Sequence, residues 1–225
     1  MISVADLIKE PVLPGNYFAF DAYVQGDFET GLLENRQGSR LVALPDVLLE
    51  SIYAGLDQEV GQATGIVLFN CGRWWGKNFY RRFVQEVSDY YQRPLAEMEM
   101  VEFLQCFKEC WKTHGWGTVD LDINYYQQGF LVVNTWQSAF AAAAPQGTGQ
   151  PQCYAEAGIL ESFFGQLTGR DLHCVQTACE SLGAKSNTFV LGLRDRVEAA
   201  KAWQQEGQDH DTIMERLCNA QPPAK

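Results

Sequence analysis

The chain lacks the sequence signatures of common hydrolases and of nucleotide-dependent enzymes. Its 225 residues include only 3 histidines, at positions 114, 173 and 210, and this dispersion gives a hydrolytic triad little support. A P-loop, a dinucleotide-binding glycine fingerprint and a Gly-x-Ser-x-Gly elbow are all missing from the sequence. These absences argue against a nucleotide-dependent enzyme and against a serine hydrolase.

Basic residues are scarce relative to acidic ones. The chain has 17 Lys+Arg against 28 Asp+Glu, a net charge of −11 and a pI near 4.7. The resulting field repels phosphate backbones. Nucleic acid is therefore not an expected partner.

Long apolar runs are absent too. The longest, "AFAAAA" and "GIVLFNCG", fall short of the roughly 20 residues that a membrane span needs. The N-terminal stretch "MISVADLIKEPVLPGNYF" has acidic residues and a proline where a signal peptide has an apolar core. Seven cysteines, an odd number without framework spacing, suit a reducing compartment. We expect a cytoplasmic protein without a transmembrane segment.

The residue patterns that are present predict an α+β fold. With 46% hydrophobic residues the chain can bury a sizeable core. Helices are predicted near Ser3–Lys9, from Pro45 to Tyr91 with a break at Gly55–Asp57, from Pro94 to His114, at "QSAFAAAA", and over Cys153–Thr168, Arg194–Glu206 and Asp209–Asn219. Strand pairs are predicted around Gln37–Ser39, around Gln127–Gly129, and for Asp171–Cys179 with Asn187–Leu193. Segregated antiparallel pairs favour α+β over a doubly wound sheet.

Four glycines, Gly61, Gly65, Gly72 and Gly76, fall within roughly 60° of one another if the segment is one helix. Each costs on the order of 1 kcal/mol of helix propensity relative to alanine. A close approach to this face is therefore expected. Another helix, of the same chain or of a second subunit, is favoured, and a flat ligand is the alternative.

The stretch "HCVQTACESLGAKSNTF" crowds His173, Cys174 and Cys179 together. A structural zinc ion needs four ligands. His173 and Cys174 are consecutive on a predicted strand, so their side chains face opposite ways, whereas Cys174 and Gln176 share a face. On these grounds buried core cysteines are preferred to a metal site.

The segment "CYAEAGILESFFGQLTGRDLHCVQTACESLGAKSNTF" resembles the C-terminal part of a 4-vinyl reductase domain, a small-molecule-binding family. "CGRWWGKNF" and "GWGTVDLDINYYQQGFLVVNTWQSAF" are similar to an earlier helix and the central hairpin of that family. The resemblance covers roughly residues 45–193. Residues 1–44, with their hairpin, look like an extension of cyanobacterial members, and 194–225 form C-terminal helices.

The resemblance places a degenerate zinc site on this chain. Zinc-bearing relatives have three cysteines and a glutamate. Their four positions fall here on Cys153, Gln176, Cys179 and Asn187. Neutral amides are poor zinc ligands because they bring no compensating charge. Zinc is therefore not expected, and the two amides are expected to bridge helix and hairpin as hydrogen-bonding groups.

The family fold is similar to that of Golgi transport-particle subunits and of the sensory domains of aromatic-responsive activators. The resemblance implies an antiparallel sheet with helices packed on one side and a homodimer formed through long helices. It favours helix–helix contact for the glycines. It also implies a ligand cavity between hairpin and helices, for which the candidate wall residues are His114, Trp136, Tyr154, Phe163 and Cys174.

Three functions follow from the resemblance. The preferred one is a non-enzymatic small-molecule-binding or assembly factor, with a chlorophyll-related or other tetrapyrrole ligand, that supports photosystem II assembly at the cytoplasmic face of the thylakoid membrane. The second is a vinyl reductase, although the sequence has no nicotinamide or flavin fingerprint and no cluster-type cysteine spacing. The third is a structural dimer module that holds no ligand.

Overall fold

A computed structural model describes residues 13–27, 29–145 and 147–220. The described chain divides into two compact units. The first contains the described residues up to Leu44 together with Arg81–Gly115, and the second contains Pro45–Tyr80 together with the described residues from Trp116 onward. The predicted three-part division at residues 44 and 193 stays a prediction. The helix predicted at Ser3–Lys9 lies outside the described residues.

The first unit combines a small sheet with helices. Its elements are α1 (Phe20–Tyr23), β1 (Gln25–Asp27), β2 (Leu32–Glu34), β3 (Arg40–Leu41), the C-terminal part of α3 (Thr64–Tyr91), and α4 (Met100–Thr113). β2 and β3 pair antiparallel, with Leu33 opposite Leu41, and form the hairpin predicted around Gln37–Ser39. Glu99 caps the start of α4 through a reciprocal capping box with Glu102.

The second unit is built on a four-stranded antiparallel sheet of order β4-β5-β7-β6. Its elements are α2 (Asp46–Val60), the N-terminal part of α3, β4 (Thr118–Asp122), β5 (Leu131–Trp136), α5 (Ala139–Ala142), α6 (Tyr154–Thr168), β6 (Leu172–Ala178), β7 (Asn187–Leu193), α7 (Arg194–Gln205) and α8 (His210–Asn219). The predicted α+β class with an antiparallel sheet is confirmed.

The two faces of this sheet are covered by different helices. One face contributes Val132, Val175 and Val190 to a core cluster that also contains residues of α7 and α8. Side chains alternate between faces along a strand, so Gln176 belongs to the opposite face, where it accepts a hydrogen bond from the backbone of Cys153 at the start of α6. The C-terminal helices therefore cover the face turned away from α6.

Three glycines let α3 and α6 pack backbone to backbone. A Cβ atom on Gly72 would lie 2.1 Å from the carbonyl oxygen of Ala155, and one on Gly76 would lie 2.5 Å from that of Ile159. From the other helix, a Cβ on Gly158 would lie 2.2 Å from the carbonyl oxygen of Phe69. Since any side chain at Gly72, Gly76 or Gly158 would collide with backbone, these contacts require glycine.

Gly61 does not belong to this glycine row. It has a φ of +53° and ends α2, with nothing within 4 Å of an added Cβ. The helical segment that begins at Pro45 is therefore interrupted at Gly61 and not at Gly55, which lies inside α2. A left-handed backbone is readily adopted by glycine, and this explains the break.

No helix in the described ranges is both long enough and apolar enough to cross a membrane.

Candidate functional site

The second unit contains a cleft of about 390 Å³. It is bounded by α3, the loop before α6, α6 itself, β6 and α7. The lining residues are Gln62, Gly65, Ile66, Phe69, Gln150, Pro151, Cys153, Tyr154, Ala157, His173, Cys174, Val175, Gln176, Lys201, Gln204 and Gln205. A cleft of this size lies within the usual range for small-molecule sites.

The wall of the cleft combines apolar and polar side chains. Ile66, Phe69 and Tyr154 supply aliphatic and aromatic surface. The ammonium group of Lys201 and four glutamine side chains supply hydrogen-bonding groups; the glutamines are Gln62, Gln150, Gln204 and Gln205. A mostly apolar wall with a few polar groups suits a hydrophobic molecule that carries a polar edge.

Gly65 shapes the wall beside Tyr154. A Cβ atom on Gly65 would lie 2.9 Å from the Cζ atom of the Tyr154 ring. Without a side chain there, the ring packs directly against the backbone of α3. Tyr154 is the first residue of α6, so the start of that helix fixes where the ring lies.

The side chain of Glu161, in α6, forms a hydrogen bond with the backbone of β6. Only 4% of its side chain is exposed, and its Oε2 accepts a hydrogen bond of 2.9 Å from the backbone N–H of Cys174. Its Oε1 lies 3.2 Å from Nε of Arg73. The Nδ1 atom of His173 is 3.0 Å from Oε2 but lacks the alignment of a hydrogen bond. This carboxylate therefore positions two cleft residues, His173 and Cys174.

Glu156 is buried without a cation beside it among the described residues. Its Oε2 accepts a hydrogen bond of 2.9 Å from Oγ of Ser138. Burial raises the pKa of Glu156 to about 8, because removal from water penalises the charged form. The side chain therefore holds a proton at neutral pH.

The four positions of the degenerate zinc site lie together. Sγ of Cys153 is 3.5 Å from Sγ of Cys179 and 3.9 Å from Oδ1 of Asn187. Oε1 of Gln176 accepts a hydrogen bond of 3.0 Å from the backbone N–H of Cys153. The N-terminus of α6 and the β6–β7 hairpin meet at this cluster.

These four residues do not fit a zinc ion. The amide oxygen of Gln176 is occupied by the N–H of Cys153, and that of Asn187 accepts the backbone N–H of Glu180 at 2.8 Å. Only two thiol ligands remain where a structural zinc site needs four. Across the described ranges, no group of three or more His, Cys, Asp or Glu side chains is arranged to hold a metal ion.

The thiols of Cys153 and Cys179 have pKa values shifted in opposite directions. The hydrogen bond from Cys153 lowers the pKa of Cys179 to about 5. The same hydrogen bond, together with burial, raises the pKa of Cys153. Oγ of Ser181, 3.0 Å from Sγ of Cys179, adds a further polar contact that favours the thiolate.

The predicted wall residues separate into two groups. Tyr154 and Cys174 line the cleft. Trp136 ends β5 opposite Thr118, and Phe163 is fully buried with its ring 5.1 Å from that of Phe79; neither lines the cleft. His114 lies in the first unit.

The described contacts of His114 are with residues of the first unit. Its Nδ1 is 2.7 Å from the carbonyl oxygen of Cys110, and burial lowers its pKa. Its ring packs 5.4 Å from that of Tyr23. These contacts belong to the packing of the first unit.

Sequence reasoning missed several residues of the site. The cleft residues of α7, Lys201 and Gln204, lie beyond the segment of family resemblance, and nothing in their spacing distinguishes them from an exposed helix face. The carboxylates Glu156 and Glu161 were also missed. The available signal was two acidic residues inside the apolar run "AEAGILESFFGQL".

If these four positions are a zinc site that has lost two of its ligands, then restoring the two ligands should restore zinc binding. We expect wild-type protein to contain far less than one zinc per chain. The double substitution Gln176→Glu and Asn187→Cys supplies the missing carboxylate and thiolate, and we expect it to bind about one zinc per chain. Elemental analysis after dialysis measures both. Equimolar zinc in the wild type would contradict the account, and Gln176→Glu with Asn187→Ser is the matched control.

A known family model matches the part of the chain that contributes β6 and the start of α6 to the site. The family model described as the V4R domain matches residues 132–193, which run from β5 through β7. This range contains Gln176, Cys179 and Asn187 and the β6 wall of the cleft. No curated protein matches the chain.

Solved structures are similar at low sequence identity. The phenol-responsive sensory domain of the transcription activator PoxR, solved with phenol, has a TM-score of 0.60 and 13% identity, covering 84% of this chain and 94% of that chain. A vinyl-4-reductase family protein from Methanocaldococcus jannaschii has a TM-score of 0.43 and 14% identity, with 69% and 83% covered. Trafficking protein particle complex subunit 3 from Naegleria fowleri, covalently bound to palmitic acid, has a TM-score of 0.46 and 13% identity. The match covers 66% of this chain and 94% of that chain. The first similarity establishes a shared fold.

Proposed function

We propose that this protein is a non-enzymatic factor that binds a hydrophobic small molecule. The premise is the V4R domain matched at residues 132–193, which lies within the segment of roughly residues 45–193 that the resemblance covers. The observation that supports the proposal is the cleft of about 390 Å³ among α3, α6, β6 and α7. Its mixture of apolar side chains and side-chain amides is the composition expected of a binding site. The PoxR sensory domain, which shares the fold, is phenol-responsive.

The ligand that we propose is a conjugated, largely apolar ring system with a polar or anionic edge. The rings of Phe69 and Tyr154 offer faces on which such a molecule can stack. Lys201 is a cation of the cleft wall, and within the described ranges it forms no ion pair. A carboxylate at the ligand edge would therefore find a partner there.

A chlorophyll-related or other tetrapyrrole ligand matches this chemistry. The chlorophyllide macrocycle is flat and largely apolar and carries a free, anionic propionate, and the open-chain biliverdin is conjugated and carries two propionates. The cleft is partly open to solvent, so a large macrocycle can insert one edge and leave the rest outside. With such a ligand, the family resemblance supports a role in photosystem II assembly, with a homodimer at the cytoplasmic face of the thylakoid membrane.

Absorption titration with chlorophyllide and with biliverdin tests this proposal. We expect saturable binding with a dissociation constant below about 100 μM. The substitution Tyr154→Ala removes a stacking face from the cleft and should weaken binding by about tenfold. Tyr126→Ala is the matched control, because Tyr126 is an exposed tyrosine at the start of a short 3-10 helix and does not line the cleft.

Two results would contradict the proposal. One is the absence of binding for both pigments by folded protein. The other is binding that Tyr154→Ala and Tyr126→Ala weaken equally, since that would place the pigment elsewhere. Turnover of a divinyl pigment in the presence of a reductant would instead support the vinyl reductase alternative.

A further inference from the structure

Two cysteine thiols lie side by side in the interior of the second unit. Sγ of Cys153 is 3.5 Å from Sγ of Cys179, and their side chains are 0% and 1% exposed. Cys153 is the N-cap of α6, and Cys179 follows β6 directly. The pair therefore connects a helix to a hairpin that are distant in sequence.

The spacing suits a covalent bond between the two sulfurs. A disulfide has an S–S length of about 2.05 Å, so the sulfurs need to approach by roughly 1.5 Å. Rotation about the Cα–Cβ bonds provides movements of this size with little change in the backbone. The contacts of Cys153 with Asn187 and of Cys179 with Ser181 are polar and do not fill the space between the two sulfurs.

A small oxidant can approach the pair from the cleft. Cys153 belongs to the residues of the cleft wall, but its side chain is fully buried, so hydrogen peroxide reaches the sulfur when the start of α6 opens locally. None of the other cleft residues except Cys174 carries a thiol. The Cys174 backbone is bound to Glu161, and Cys174 has no thiol partner among the described contacts.

We infer that Cys153 and Cys179 form a reversible intrachain disulfide that ties the N-terminus of α6 to the β6–β7 hairpin. With hydrogen peroxide, one thiol loses its proton and the thiolate attacks a peroxide oxygen. The O–O bond breaks, the sulfenic acid forms, and the departing hydroxide takes up the proton as water. The second thiol then loses its proton and attacks the sulfenic sulfur, the S–O bond breaks as the S–S bond forms, and the second hydroxide takes up that proton and leaves as water. Two thiols are oxidised by two electrons in total, and one peroxide is reduced to two waters. A dithiol reductant reverses the reaction.

The cross-link has a measurable consequence for stability. It closes a loop that contains all of α6 and β6 and removes conformational freedom from the unfolded chain. For a loop of this length the unfolding temperature should rise on the order of 5–10 °C on oxidation. This inference goes beyond the proposed ligand binding and does not depend on it.

Peptide mapping of the wild-type protein tests the inference. Native protein is treated with hydrogen peroxide, denatured, alkylated and digested. We expect two fewer alkylated cysteines than in reduced protein, a linked pair of peptides containing Cys153 and Cys179, and reversal by dithiothreitol. Unfolding temperatures are recorded for both forms.

Two variants test which cysteines form the cross-link. Cys179→Ser should abolish both the linked peptides and the thermal shift, while Cys71→Ala, which removes an exposed thiol on α3, should retain both. A native protein that shows no cross-link, that links another pair, or that links Cys153 to Cys179 only after denaturation would overturn the inference. Because the mapping uses wild-type protein, poor folding of Cys179→Ser would not affect this test.

Discussion

Replacing Gly72 with alanine should lower the free energy of unfolding by about 3 kcal/mol and the unfolding temperature by on the order of 10 °C. The added Cβ would lie 2.1 Å from the carbonyl oxygen of Ala155. The atom that it meets is backbone, so no side-chain rotation can relieve the overlap, and α3 and α6 must move apart. Gly158→Ala should have a similar effect, because its Cβ would lie 2.2 Å from the carbonyl oxygen of Phe69.

Gly55→Ala is the matched control for these substitutions. Gly55 lies inside α2 with nothing within 4 Å of an added Cβ. Alanine there should stabilise the protein by up to about 1 kcal/mol, because it improves helix propensity without a collision. Thermal unfolding monitored by circular dichroism measures the stability of all three variants. Equal and small effects at Gly72, Gly158 and Gly55 would show that α3 and α6 are not in backbone contact.

Replacing Glu156 with glutamine should make the protein more stable at neutral and alkaline pH, by about 4 kcal/mol at pH 8. The pKa of Glu156 is raised from 4.5 to about 8 in the folded state. The folded protein therefore keeps a proton that the unfolded chain releases. Its contribution is fully present below pH 4.5 and is lost as the pH rises to 8. Glutamine stays neutral throughout and keeps the shape of the side chain.

Urea denaturation at pH 5 and pH 8 separates this effect from general destabilisation. The difference between Glu156→Gln and wild type should be within about 1 kcal/mol at pH 5 and large at pH 8. Glu198→Gln alters an exposed carboxylate of α7 and should change stability by less than about 0.5 kcal/mol at either pH. A difference between Glu156→Gln and wild type that is the same at pH 5 and at pH 8 would mean that native Glu156 is ionised.

Local pattern predicted most of the secondary structure. The apolar spacing of Cys153–Thr168, followed by Gly169, predicts a helix with a left-handed cap, and the observed helix is Tyr154–Thr168 with φ +64° at Gly169. The two strands predicted at Asp171–Cys179 and Asn187–Leu193 pair as β6 and β7. Periodicity and turn residues are local properties, so the sequence displays them directly.

The helix break was harder to place. Gly55 and Gly61 are both glycines in a helical context, and only Gly61 has a positive φ. Propensity treats the two alike. The difference arises from where α2 must end for α3 to pack against α6, which is a tertiary requirement.

Much of the site could not be predicted from local sequence patterns, because it also depends on tertiary contacts. The resemblance identified Cys153, Gln176, Cys179 and Asn187 as neighbours, and the structure places them in one cluster. The burial of Glu156 follows from contacts made on nearly every side of α6. The local signal was the position of Glu156 inside an apolar run, but a glutamate is ordinarily assigned to the exposed face of a helix, so this signal alone does not predict the raised pKa.

The most direct measurement of the central claim is native mass spectrometry, with absorption spectroscopy, of protein purified from a pigment-producing host. Ligand binding in the cleft predicts a copurifying conjugated small molecule that Tyr154→Ala reduces and Tyr126→Ala retains. A folded wild-type protein whose mass is that of the bare chain, and which then fails to take up added chlorophyllide or biliverdin, would contradict it.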